Sequence, residues 1–195
     1  MKVAVVKYNA GNVQSVIYAL QRLGVDPLHT DDHQEIISAD RVIFPGQGEA
    51  SSAMAYLREK RLDQVLTSLK QPFLGICIGL QLMCRHSEEG DTDCLGIFNL
   101  KVKKFIIPGN GFKVPHMGWN RLEAYNSPLF TDLTNPFMYY VHSYYAEMGA
   151  ETIGVTDYIL PFSGALHKGN YFAVQAHPEK SSDAGQTILT NFLKI

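Results

Sequence analysis

Pro72-Phe73-Leu74-Gly75-Ile76-Cys77-Ile78-Gly79-Leu80-Gln81 reads as a buried strand, a sharp turn carrying one cysteine, and the first turn of a helix. Gly75 and Gly79 stand two residues either side of Cys77, the spacing of a nucleophile elbow with Cys in place of Ser. Such a turn needs small flanking residues, because a Cβ there would meet the neighbouring strand or helix. A cysteine at a helix N-terminus feels the macrodipole and free N–H groups, which favour a thiolate. The N–H of Ile78 then points where an oxyanion would form.

The segments before the elbow place it in a fold. Val3–Val6 reads as a buried strand and residues 12–23 as a helix, with Val13, Val16, Ile17, Leu20 and Leu23 at helical spacing and Gly24 as the stop. Residues 40–44 read as a strand ending in Pro45-Gly46-Gln47-Gly48, and 50–69 as a helical stretch broken near Lys60. Phe73–Ile76 is the next strand, and 80–86 the helix after the elbow. This alternation predicts an α/β fold, with a mixed, mainly parallel central sheet flanked by helices. Ligands of such sheets sit beyond the carboxyl ends of strands, where residues 45–48 and Cys77 both fall. From 95 to 120 there are short strand-like runs broken by Gly109-Asn110-Gly111 and Pro115; residues 137–145, 152–156, 165–168 and 171–175 read as strands, and 183–193 as a closing helix. No linker or repeat is visible, so residues 1–195 read as one domain.

A thiol nucleophile needs a base, and the base needs an orienting carboxylate. Tyr171-Phe172-Ala173-Val174-Gln175-Ala176-His177-Pro178-Glu179 supplies both types two residues apart, with Pro178 fixing φ between them. Alone, Cys77 reads as a packing cysteine and His177 as a core or capping histidine; together with Glu179 they read as a catalytic set.

Composition excludes several classes. The 195 residues are 46% hydrophobic and 11% aromatic with a net charge of −2, as in a soluble globular domain. Lys101, Lys103 and Lys104 form the tight basic cluster and read as a solvated strand edge, not a nucleic-acid patch. No signal peptide or membrane-length apolar run is evident. Three cysteines without zinc-like spacing predict neither a disulfide scaffold nor a metal site, and Cys84 and Cys94 read as packing residues. A reducing cytoplasm suits a working thiol.

The elbow of residues 75–81 and His177-Pro178-Glu179 resemble the signatures of the class I (triad-type) glutamine amidotransferases. Three further stretches are similar to the HisH-type glutaminase subunits of imidazole glycerol phosphate synthase: Tyr8-Asn9-Ala10-Gly11-Asn12, Pro115-His116-Met117-Gly118-Trp119-Asn120 and Tyr140-Val141-His142-Ser143-Tyr144-Tyr145. The resemblance covers essentially the whole chain. It implies that Cys77 attacks the side-chain amide of glutamine, that His177 moves the protons and that Glu179 orients the imidazole. It implies an oxyanion hole from Ile78 and an N–H within Gly46–Gly48, and a glutamine site at Gly46, Gly48, Ile78, Gln81, Ser143 and Tyr144. Ser143 and Tyr144 also suit plain strand packing.

The resemblance further implies no cofactor, no metal, and a heterodimer with a (β/α)8-barrel cyclase that uses the ammonia on a phosphoribulosyl-formimino carboxamide nucleotide. This chain shows no Gly-rich phosphate loop or Arg cluster to hold that nucleotide. Candidate docking residues are Asn12, Trp119, Tyr139 and Lys180; the lone Trp119 is either a core aromatic or an interface anchor. The chain departs from the family at Gln47, where an apolar residue, commonly Val, is usual. The peptide between Gly46 and Gly48 can rotate at low steric cost, so that it would expose its N–H only when the partner is loaded, with Gln47 biasing the switch. Competing readings are a glutaminase for anthranilate, carbamoyl phosphate or pyridoxal phosphate synthesis, a stand-alone γ-glutamyl hydrolase or peptidase, and a non-catalytic module with a fossil triad.

Overall fold

A computed structural model describes residues 1–8, 13–109, 111–125 and 127–195. In chain order the strands are β1 (Val3–Val6), β2 (Leu28–Thr30), β3 (Arg41–Phe44), β4 (Phe73–Ile76), β5 (His86–Ser87), β6 (Thr92–Asp93), β7 (Lys101–Lys104), β8 (His116–Arg121), β9 (Glu123–Ala124), β10 (Phe137–His142), β11 (Tyr144–Ala146), β12 (Thr152–Tyr158), β13 (Leu160–Lys168) and β14 (Tyr171–Val174). The α-helices are α1 (Gln14–Arg22), α2 (His33–Ile37), α3 (Ala50–Glu59), α4 (Leu62–Ser68), α5 (Ile78–Met83) and α6 (Ser182–Lys194).

The main sheet has the order β2-β1-β3-β4-β14-β13-β12-β9. The first five strands run parallel and the last three pair antiparallel, so the expected mixed sheet with a parallel centre is present. β1, β3 and β4 are almost wholly apolar and buried because helices cover both faces of a parallel sheet. One core cluster joins Val6, Phe44, Met54 and Leu80; the other joins Val5, Ile76, Phe162 and Ile188. β4 and β14 are neighbours, which brings the elbow and the His-Pro-Glu turn to the same end of the sheet although a hundred residues separate them.

Several expectations are corrected. The helix expected over 12–23 is described from Gln14 to Arg22, residue 12 lying outside the described residues. The helix after the elbow begins at Ile78 and ends at Met83; His86 belongs to β5. The expected strand 137–145 is two strands divided at Ser143. β10 pairs β8 and β11 pairs β7, in different sheets. The lysine cluster lies not on an edge but on β7, which has β11 on one side and β5 on the other; Val102 is buried and Lys103 pairs with Glu147 at 2.8 Å. The helical stretch 50–69 does break where expected, with Arg61 at φ 55 between α3 and α4.

Candidate active site

Cys77 is the residue between β4 and α5, at φ 54 and ψ −110. A non-glycine residue rarely holds positive φ, so the surroundings must over-determine it. They do. Cys77 N donates to Val174 O at 2.8 Å, and every residue of β4 and α5 is buried. A Cβ on Gly79 would lie 2.2 Å from Phe44 O, and one on Gly75 would lie 2.4 Å from Met83 Sδ. The two glycines therefore let the helix lie against β3 and β4 closely enough to force the turn.

His177 follows β14. Its Nδ1 stands 2.7 Å from Glu179 Oε1, and the imidazole and carboxylate are 1% and 4% exposed. Two backbone links hold it: His177 N donates to Tyr139 O at 2.9 Å, and Ser181 Oγ donates to His177 O at 2.6 Å. Helix α6 approaches the turn so closely that a Cβ on Gly185 would lie 1.9 Å from Pro178 O. His177 Nε2 is buried and makes no hydrogen bond. Burial alone would lower the His177 pKa, but the charges of Cys77 and Glu179 outweigh it and push it up to about 10.

A cavity of about 500 Å³ opens over Cys77. It gathers almost every residue expected at the site: Gly46 and Gly48, Cys77, Ile78 and Gln81, Ser143 and Tyr144, His177, and also Tyr139 and Lys180. Glu179 lies behind His177, in a neighbouring cleft with Arg22 and Lys180. Asn12 lies outside the described residues. Among the described residues, no hydrogen bond holds the N–H of Gly46, Gln47 or Gly48, and Ile78, as first residue of α5, keeps its N–H outside the helical ladder.

Two features were not legible in the sequence. Glu89 lines the cavity, its Oε2 accepting from Ala50 N at 2.9 Å. Burial raises its pKa against that hydrogen bond, with Glu49 adding to the rise. In the sequence it stands in a Ser-Glu-Glu-Gly run that reads as a solvated turn. The second is a pair of buried histidines. His142 Nδ1 is 2.7 Å from Tyr144 O, which can only accept, so Nδ1 carries the proton. His142 Nε2 then accepts from His116 Nδ1 at 3.0 Å, and His116 Nε2 accepts from Asn120 Nδ2 at 3.3 Å. Both rings are neutral: burial lowers His142 to about 3 and His116 to about 4.

The ribbon β8–β10 carries these histidines inward. Its other face presents the cross-strand pairs Met117–Val141, Trp119–Tyr139 and Arg121–Phe137. Trp119 is 54% exposed and packs edge-on against Tyr139, so it is not a core aromatic. Among the described residues, no group of His, Cys, Asp and Glu is arranged to hold a metal ion, and no helix is long and apolar enough to cross a membrane. Cys84 is buried and Cys94 half-buried; burial raises both thiol pKa values, as packing cysteines require.

Residues 4–195 match the family described as glutamine amidotransferase class-I. The imidazole glycerol phosphate synthase subunit HisH of Bacteroides fragilis strain YCH46 is 55% identical over 196 residues, covering all of both chains. The HisH subunit of Idiomarina loihiensis is 41% identical over all of this chain and 98% of its own. Among solved structures, a glutamine amidotransferase from Thermotoga maritima superposes with a TM-score of 0.68 over all of this chain and 96% of that one; at 14% identity it speaks for the fold alone. The chain belongs to the class-I glutamine amidotransferases and, within them, to the HisH subunits of imidazole glycerol phosphate synthase.

Proposed function

We propose that Cys77, His177 and Glu179 are the residues through which this chain hydrolyses glutamine to glutamate and ammonia, the ammonia passing to a cyclase in histidine biosynthesis. The supporting observation is the aligned, buried His177–Glu179 pair beside a cysteine held at positive φ.

In the resting pair the proton of Cys77 Sγ already sits on His177 Nε2, held there by the charge of the sulfur, and the thiolate attacks the Cδ of the glutamine side chain. The C=O pair moves to oxygen, where the Ile78 N–H and an N–H from residues 46–48 receive the oxyanion. The tetrahedral species collapses as His177 returns its proton to the nitrogen, releasing ammonia and leaving a γ-glutamyl thioester. Water, losing a proton to His177, attacks the thioester, and glutamate leaves with Cys77 regenerated. Glu179 holds the proton on Nδ1 and stabilises the imidazolium throughout. Glu89, the carboxylate of the cavity wall, meets the substrate's α-ammonium; Ser143 and Tyr144 face its carboxylate, and Gln81 and Gly48 complete the pocket.

The partner is a (β/α)8-barrel cyclase that consumes the ammonia on the phosphoribulosyl-formimino carboxamide nucleotide. It docks on the exposed face of Trp119 and Tyr139, near Lys180 and the mouth of the cavity, with Asn12 as a further contact. Free ammonia would be protonated and lost at neutral pH, which is why a sealed interface beside the cavity matters. The chain works as one domain over residues 1–195 in a reducing cytoplasm. The test is glutamate release by the chain alone and with the cyclase and its nucleotide. Low release alone and a large rise with the loaded partner is expected. High release that the partner leaves unchanged would instead mark a stand-alone hydrolase.

A further inference from the structure

Two buried amides stand beside Cys77. Gln175 is fully buried, and Gln81 is 4% exposed. Gln175 N donates to Gly164 O at 2.9 Å, which fixes its backbone beside β13. Gln81 Nε2 donates to Tyr144 O at 2.9 Å and to Gln175 Oε1 at 3.0 Å. Gln175 Nε2 then donates to Cys77 Sγ at 3.6 Å.

The direction of this chain is forced. An amide nitrogen facing the Gln81 nitrogen would set donor against donor, so Gln175 must turn its oxygen to Gln81 and its N–H to the sulfur. The Gln81 amide is fixed in turn, because the Tyr144 carbonyl accepts from it and from His142 Nδ1. Cys77 Sγ also has the Val141 carbonyl at 4.0 Å, an acceptor that suits the thiol. Gln175 thus supplies a donor that suits the anion, and it is too deeply buried to exchange that role with solvent.

We propose that Gln175 is a further residue of the nucleophile's machinery: its amide N–H is a fixed donor that aims Cys77 Sγ and stabilises its anion, with Gln81 as the positioning residue that sets the amide. The assignment rests on Cys77 being the nucleophile. It makes the sulfur part of a four-part arrangement, with an imidazole to hold the proton, a carboxylate to hold the imidazole, and an amide pair to hold the charge.

The test uses Gln175→Met, which keeps the length and volume of the side chain and removes the donor. Iodoacetamide alkylation of Cys77 is followed across pH by mass spectrometry of its peptide, and glutaminase activity is measured in the complex with the loaded cyclase. The expected result is an alkylation midpoint raised by about one pH unit, a tenfold change in thiolate fraction. With it should come a kcat/KM reduced about tenfold at neutral pH that recovers as the pH is raised, since the missing stabilisation only changes the thiolate population. An unchanged midpoint in a variant that melts cooperatively would overturn the proposal, as would an activity loss equal at every pH. If Gln175→Met does not fold, Gln81→Met tests the same amide through its anchor, with a smaller upward midpoint shift expected and no shift overturning the idea. A shifted midpoint in a complex that releases no glutamate would instead count against the functional reading, while showing that the amide still stabilises the Cys77 anion.

Discussion

The two walls of the cavity are built on opposite terms. On one side, β4, Cys77 and α5 are buried throughout, and the strained cysteine is clamped by Val174 O and by the approach of Gly79 to Phe44 O. On the other, Gly46 is buried against Ile78, but Gln47 is half-exposed and Gly48 is exposed at φ 149, and no hydrogen bond holds their N–H groups among the described residues. On the proposed reading, the nucleophile is therefore pre-built, while the oxyanion donor opposite it lies in a stretch whose N–H groups no hydrogen bond holds among the described residues. Rigidity goes where a small error in aim is expensive, and looseness goes where a partner's signal can act.

Breaking the rigid wall should have the largest effect. Cys77→Ser should abolish glutamate release while leaving the thermal transition in place; residual turnover above one part in a thousand would remove Cys77 from the chemistry. Gly79→Ala places a methyl against backbone that has nowhere to go, so a loss of about 3 kcal/mol of stability is expected, with activity falling together with it. Denaturant unfolding measures the first, and a wild-type midpoint would show that the close approach is not needed.

The imidazole comes next. Glu179→Gln should lower kcat by about a hundredfold or more, because the amide can present the wrong partner to Nδ1. It should also change a pH dependence of stability. His177 keeps its proton up to about 10 in the fold against about 6.5 unfolded, so its contribution is complete below about 6.5 and is lost as pH rises to about 10. The buried His116 and His142 act oppositely. Their folded values of about 4 and about 3 mean that the unfolded chain binds more protons between there and about 6.5, so stability falls as pH drops through that window. Melting temperatures across pH should therefore form a dome; Glu179→Gln should lower its alkaline side in part, since Cys77 raises the His177 value more than Glu179 does, and should leave its acid side alone.

The loose wall should respond more mildly. Gln47→Val should change basal glutaminase a fewfold while leaving the rate with the loaded partner nearly the same. Identical basal and stimulated rates would show that Gln47 plays no part in the switch. Smallest in its effect on the isolated chain is Trp119→Ala, whose side chain is half in water. We expect cyclase binding weakened about tenfold to a hundredfold with a melting temperature within a degree or two, as an exposed anchor predicts. Equal losses of binding and stability would argue for a packing role.

Much of this was readable along the chain because it depends on neighbours in sequence. The elbow, the His-Pro-Glu turn, the parallel order of early strands and the break near Lys60 rest on local patterns of apolar residues, glycine and proline. Residues 137–145 show the limit. They read as one aromatic-rich run, yet the chain leaves one sheet for another at Ser143, because β8 and β7 offer separate partners. The strand β2 and helix α2 carry too few apolar residues to announce themselves, and it is the pairing of β2 along β1 that places them.

What the sequence determined alone was the set of groups proposed for the chemistry: one thiol at a forced turn, one imidazole, one carboxylate, and the glycines that let the turn close. What only the tertiary structure decided was everything that depends on residues far apart meeting. β4 beside β14 puts Cys77 under His177, Glu89 turns from a solvated loop into a cavity wall, and Gln175 finds the sulfur from ninety-eight positions away. The physical reason is that such contacts are set by sheet order and burial, which no local periodicity encodes.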